Sequence, residues 1–213
     1  ALPGAEEHAR ACLGLLPERD WGVAVGAALA SLLTAQTAMG RFSGAAETLN
    51  LPVPPEMLQS RFGLHYLQAR GRFRLASGDC DQALADFRAC GDLMRRWELD
   101  VPGLIAWRND SAEALLRLGE REQARELLEE QLAGCGPGVW PRTRGTALRL
   151  LAATREPRQR PQLLRHAADV LNGCGDRYEL ARTLTDLTLV YRALGDSRRA
   201  RVLQQQAWTI AME

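Results

Sequence analysis

Histidine and cysteine are the side chains in this 213-residue sequence best suited to metal binding or nucleophilic catalysis. His8, His65 and His166 stand far apart, and no HExxH pair sets two imidazoles on one helical face. Cys12, Cys80, Cys90, Cys135 and Cys174 are odd in number and never form a CxxC pair. That spacing argues for reduced thiols rather than a disulfide framework or a zinc site, and the cysteines read as small core residues. Cys174 and His166 lie eight residues apart, which defines no catalytic pair. No GxSxG elbow and no GxxxxGK[ST] phosphate loop occurs. Asn109-Asp110-Ser111 matches a glycosylation acceptor by chance on a helix. The residues therefore point away from an enzyme, with no catalytic or metal-binding residues and no cofactor held by this chain.

The bulk composition agrees. Hydrophobic residues make up 46% and charged residues 25%, as in globular proteins, and the formal net charge of +1 leaves no general footprint for nucleic acid. All 27 basic residues are arginine. Arginine suits bidentate grips on carboxylates; codon bias in a high-GC bacterium accounts for the usage more simply. "WGVAVGAALASLLTAQTAMG" is the longest apolar stretch, but its glycines, Gln36 and hydroxyl residues make it a buried helix, not a membrane span. The start, "ALPGAEEHAR", lacks the basic and apolar regions of a signal peptide, so a cytoplasmic location is expected. It also lacks methionine, as a piece of a longer chain would.

Stepping along the chain reveals a repeat. Gly78 is followed by Ala83, Phe87 and Cys90 at offsets of five, nine and twelve. Gly119 gives Ala124, Leu128 and Gln131 at the same offsets, and Gly195 gives Ala200, Gln204 and Ala207. Gly40 gives Ala45 and Leu49 before Pro52 and Pro54, and a degenerate copy at Arg155 carries Leu164 and Ala167. The intervals of 38, 41, 36 and 40 residues each hold two apolar-periodic segments around a short turn. Glycine suits the left-handed end of the first helix, and Asp79 or Asp196 suits the N-cap of the next; Glu120 caps less well. No convincing strand pattern appears. The fold expected is all-α, an α-solenoid of about eleven helices. Its single domain would span 1–213, with a partial leading helix over 1–20 and units at roughly 21–54, 55–99, 100–136, 137–174 and 175–213. Small residues such as Gly71, Ala83 and Ala124 would let paired helices approach closely.

A small residue before the turn, glycine at it, and alanine five residues on resemble a tetratricopeptide (TPR) repeat. The runs "LQARGRFRLASGDCDQALADFRACGDLMRRW", "IAWRNDSAEALLRLGEREQARELLEEQL" and "YELARTLTDLTLVYRALGDSRRARVLQQQAW" look like the C-terminal sensor region of the large ATP-binding LuxR-type regulators, the LAL family. The likeness covers roughly residues 21 to 213. It implies a non-enzymatic, TPR-like segment of a bacterial transcriptional activator, common in actinomycete clusters for secondary metabolism. ATP and DNA would then be bound by a P-loop module and a helix-turn-helix elsewhere in the parent protein.

Placed by the turn glycines, His65, Gln68, Arg72, Asn109, Glu113, Arg149, Arg182, Thr185 and Arg192 aim toward the concave face of the first helices. That face would take a protein or a small effector, and Arg72 with Arg149 could grip a carboxylate or an extended peptide. The alternative is a solvated face with ordinary salt bridges. Exposed solenoid ends would permit a homodimer, so a self-associating scaffold stays open, as does a peptide-pheromone receptor. Trp97, Trp140 and Trp208 read as wedges between helices, and Trp107-Arg108 as packing or recognition. "REPRQRP" at 155 to 161 reads as a solvent-exposed connection rather than a contact to DNA.

Overall fold

The glycines that punctuate the repeat sit where one helix stops and the next begins. Gly40, Gly78, Gly119 and Gly195 all take left-handed backbone conformations, with φ between 70° and 91°. A side chain would be strained there, whereas glycine is not. The amide after each of Gly78, Gly119 and Gly195 donates to the carbonyl five residues back: Asp79 to Arg74, Glu120 to Leu115 and Asp196 to Tyr191. This closure satisfies carbonyls that the helix end would leave unpaired. Asp79 and Asp196 then accept from the amides of Gln82 and Arg199, and Asp176 does the same for Glu179. Glu120 makes no such bond, as its longer side chain predicts.

The computed structural model describes residues 2–15, 18–136 and 138–212. They hold helices α1 (Leu2–Gly14), α2 (Glu18–Trp21), α3 (Val25–Ala38), α4 (Phe42–Leu49), α5 (Arg61–Ala76) and α6 (Cys80–Arg96). There follow α7 (Trp107–Leu118), α8 (Arg121–Gly134), α9 (Pro141–Ala153), α10 (Arg160–Cys174), α11 (Arg177–Ala193) and α12 (Ser197–Met212). No strand occurs among the described residues. The expected leading helix at 1–20 includes residues 1, 16 and 17, which lie outside the described ones.

Two compact units emerge, Ala1–Val101 and Pro102–Glu213. In the first, α1 packs on α3, α3 on α4 and α5, and α5 on α6. Val25, Leu29, Leu33, Ala45, Met57 and Tyr66 form its core, which buries α3 nearly all round. In the second, α7 and α8, α9 and α10, and α11 and α12 pair as hairpins; α9 lies on α7 and α8, and α11 on α9 and α10. Leu164, Leu187, Tyr191 and Ala200 make one cluster there, and Leu171, Leu180, Leu184 and Ala207 another.

The small residues occupy the crossings. Ala45, Ala83, Ala124 and Ala167 are completely buried, and Ala200 nearly so. Gly71 of α5 faces the Phe87 ring so closely that a Cβ would fall 2.5 Å from Cε1. Gly145 of α9 stands in the same relation to Leu171 of α10, at 2.5 Å. A larger residue would push the helices apart and unseat the Phe or Leu. The degenerate unit also keeps its crossing, with Leu164 and Ala167 buried, but builds its turn differently. Thr154 and Arg155 donate to carbonyls three residues back, and the Arg160 guanidinium covers the Arg155 carbonyl at 2.8 Å. Arg155 itself reaches Glu129 at 2.7 Å, so the basic connection is held by its own chain.

Two expectations fail. Trp208 is 63% exposed and wedges nothing, while Trp140 lies over Gly103 yet remains 41% exposed. Trp97 is half-buried at the end of α6. Cys90 and Cys135 are core residues, but Cys12 and Cys174 are exposed because they face outward from α1 and α10.

A paired substitution separates crowding from helix propensity. Gly71→Ala should lower stability by about 1–3 kcal/mol through overpacking against Phe87. Gly173→Ala, in open space on α10, should raise it by up to ~1 kcal/mol. Urea unfolding followed by circular dichroism measures both; a stabilised Gly71→Ala would contradict the crossing.

Candidate functional site: the face of the first helices

The nine expected site residues fall on two surfaces, one in each unit. In the first unit, His65, Gln68 and Arg72 of α5 line an open groove of about 490 Å³ with Ala27, Ser31 and Thr34 of α3 and residues of α1. The three side chains follow one another at helical spacing, and small residues on α3 leave the groove open. His65 and Arg72 are exposed, and Gln68 is half-buried.

The second unit is more ordered. Arg149 of α9 is buried, although an unpaired guanidinium in that position would be costly. Its Nε donates to Glu179 at 3.1 Å and its Nη1 to Asp186 at 3.2 Å, both on α11. Glu113 of α7 lies 3.9 Å from Nη2, an atom that makes no hydrogen bond within the protein. Arg182 of α11 completes the cluster, donating to Glu113 at 2.6 Å and to Glu179 at 2.9 Å. Three first helices, α7, α9 and α11, are thus tied by two guanidiniums among three carboxylates. The carboxylate that Arg149 was expected to take from a ligand comes instead from its own chain. Arg72 and Arg149 therefore differ: one faces solvent, and the other is consumed in a buried clamp.

Asn109 is also a tie rather than an open donor. It is buried, and its amide donates to the Thr143 carbonyl of α9 at 3.0 Å. Thr185 bonds back to the Ala181 carbonyl of its own helix, and Arg192 donates to Gln204 of α12. Trp107 is buried with the Arg108 guanidinium 4.4 Å over its ring, which is packing. A second buried pair holds the α5/α6 hairpin: Arg70 grips Asp86 bidentately at 3.0 and 2.7 Å, and Arg74 adds a bond at 2.8 Å. In the first unit, Glu6 is likewise clasped by Arg10 and Arg41.

Sequence reasoning missed Glu179, Asp186 and Asp86. Asp86 directly precedes the buried Phe87, and Glu179 stands three residues past the Asp176 cap. A carboxylate on the buried edge of a hairpin was the available signal. Among the described residues, no group of three or more His, Cys, Asp or Glu could hold a metal, and no helix is long and apolar enough to cross a membrane.

Burial raises the Glu113 carboxyl, but Arg182 and Arg149 outweigh it and hold it below the ordinary value of 4.5. For Asp186, burial prevails over Arg149 and pushes the carboxyl up. Burial alone would lower Arg182, yet Glu113 and Glu179 raise it, so it stays charged.

No protein-family model matches the chain, and no curated protein matches it in sequence. Solved structures do match. BtubC (BKLC) from P. vanneervenii superposes with a TM-score of 0.62 at 17% identity, over 99% of this chain and 88% of that one. Two structures of a putative kinesin light chain from Podosopora anserina, with nearly identical TPR-like repeats, give TM-scores of 0.55 and 0.54 at 17% identity. They cover 85% and 86% of this chain and 92% and 93% of theirs. The fold class is an α-solenoid of TPR-like hairpins.

The clamp makes a pH-dependent prediction. A carboxyl held below its unfolded value stabilises the fold above about 4.5 and loses that contribution as pH falls through the lower folded value. Glu113→Gln should therefore be destabilised at pH 7 and show a flatter acid dependence. Asp186→Asn should cost less at pH 7, because its ionised form is disfavoured by burial. Arg149→Met should cost about 3–5 kcal/mol by leaving carboxylates uncompensated. Urea unfolding at pH 7 and pH 4 measures all three; equal effects of Glu113→Gln and Asp186→Asn would contradict the assignment.

Proposed function

We propose that this chain is the non-enzymatic sensor and protein-interaction segment of a LAL-type transcriptional activator, acting on secondary-metabolite genes. It relays binding of a small effector or partner protein to ATPase and DNA-binding modules outside these residues, where ATP and DNA are bound. The observation that carries the reading is the coincidence of sequence likeness and structural unit. The three runs with that likeness, at 67–97, 105–132 and 178–208, fall on the hairpins α5/α6, α7/α8 and α11/α12.

A repeat array suits such a relay because each hairpin contacts only its neighbours, so a ligand that favours one arrangement shifts a population of arrangements. One surface open to an effector is the groove of His65, Gln68 and Arg72. In the second unit, Arg149, Arg182, Thr185 and Arg192 border a wider groove between α11 and α12, although Arg149 and Arg182 are held there by internal ion pairs.

The coding sequence on either side gives the first test: a P-loop motif upstream and a helix-turn-helix downstream are expected, and the absence of both would overturn the regulator assignment. Calorimetric titration of candidate metabolites gives the second. Heat of binding should be lost in Arg72→Ala while the fold, monitored by circular dichroism, is unchanged. Uniformly flat titrations would remove the small-effector half and leave partner binding alone.

A further inference from the structure

In the second unit, each hairpin forms a groove between its two helices, and the first helix of the next hairpin lies in it: α9 on α7 and α8, then α11 on α9 and α10. No described helix of that unit fills the groove of α11 and α12. That groove holds about 1320 Å³. It runs from Tyr178 to Arg192 along α11, about 21 Å at 1.5 Å per residue. Its apolar surface is open to solvent: Tyr178 is 65% exposed, Leu189 56% and Trp208 63%, with Ile210 half-buried beside them. In the filled groove of α9 and α10, the arriving α11 brings Leu180, Leu184 and Leu187 onto Leu164 and Leu171. Large aromatics such as Tyr178 and Trp208 are frequent anchors at interfaces.

The charge around the groove defines the occupant. Asp186, the carboxylate that lines it, is already held by Arg149, and Arg182 is held by Glu113 and Glu179. Arg192 and Arg201 border it from opposite helices, and both are exposed. Arg192 donates to the neutral Gln204 and Arg201 to the Ser197 carbonyl, so among the described residues neither meets a carboxylate. The groove of α9 and α10 shows the matching chemistry, because α11 arrives there with Glu179 and Asp186 on the receiving Arg149. In the groove of α7 and α8 the signs are exchanged, with Arg149 of α9 arriving near Glu113. A second copy docking by the same face would bring like charges together, which disfavours it.

We propose that the α11/α12 groove docks an amphipathic helix of a partner protein, with an apolar stripe covering Tyr178, Leu189 and Trp208 and carboxylates on its edges meeting Arg192 and Arg201. This deepens the reading of the chain as a protein-interaction repeat and does not need the regulator assignment.

The test uses the 213-residue chain and three fluorescent helical peptides of about four turns. One carries leucines at helical spacing flanked by Glu, one has Lys in place of Glu, and one scrambles the leucines. By anisotropy at low salt, the Glu peptide should bind at least tenfold more tightly than the other two, and its advantage should shrink at 0.5 M salt, where exposed charges are screened. Arg192→Glu with Arg201→Glu should reverse the preference toward the Lys peptide, and Trp208→Ala should weaken binding at least tenfold. All three side chains are exposed, and circular dichroism verifies that the variants fold. Equal affinity for the Glu and Lys peptides, or a preference unmoved by the double reversal, would overturn the proposal. So would self-association that Trp208→Ala abolishes without any peptide binding, which assigns the groove to a second copy. Either failure leaves the flanking-sequence test of the regulator reading untouched.

Discussion

Close approach of paired helices at a small residue is the constraint on which the structure depends. Glycine at position 71 costs helix propensity, and alanine at 83, 124 and 200 forgoes apolar area. In return, the helices come near enough for Phe87, Leu128 and Leu171 to be fully enclosed. A single hairpin still leaves one apolar stripe uncovered, so the next hairpin must lie upon it. The turn follows from the same constraint: a left-handed glycine lets the chain reverse tightly and deliver the alanine five residues on to the crossing.

Apolar packing alone would tolerate several registers between packed helices, within a hairpin and between hairpins, because Leu and Ala surfaces are similar along each helix. The buried charges reduce that freedom. Arg149 reaches its partners only when α7, α9 and α11 sit in one alignment, and Arg70 with Arg74 fixes α5 against α6 around Asp86. Buried ion pairs add little net stability, since desolvation opposes attraction, but they penalise misalignment heavily. The arginines that sequence reading placed in a ligand groove thus serve partly as an internal clamp, which also leaves fewer open positions for an effector.

The repeat was legible because its signals are local. Gly78, Gly119 and Gly195 mark turns, Asp79 and Asp196 mark caps, and the alanines five residues beyond each glycine are buried as their spacing predicts. The degenerate unit at Arg155 was legible through Leu164 and Ala167, although its glycine is gone. What sequence could not resolve is which side chains meet across helices distant along the chain. Arg149 and Glu179 are thirty residues apart, and Arg182 and Glu113 sixty-nine; nothing in their local pattern distinguishes an ion pair from a ligand contact. Trp208 failed for a related reason: on α12, helical phase put it toward the groove wall, where no described residue of the second unit covers it.

The functional reading inherits this structure. An array of hairpins with internal clamps, an open groove on the α5 face and an uncovered groove at α11 and α12 is suited to holding other molecules. All of it requires interiors sealed by the tight crossings. The native cysteines report on that seal, with Cys90 and Cys135 buried at 0% and 2% exposure and Cys12 and Cys174 exposed. In a timed thiol-labelling experiment without denaturant, read by mass spectrometry, Cys12 and Cys174 should react at once. Cys90 and Cys135 should react only at the rate at which the fold opens. Labelling of Cys90 as fast as Cys174 in the native protein would contradict the account.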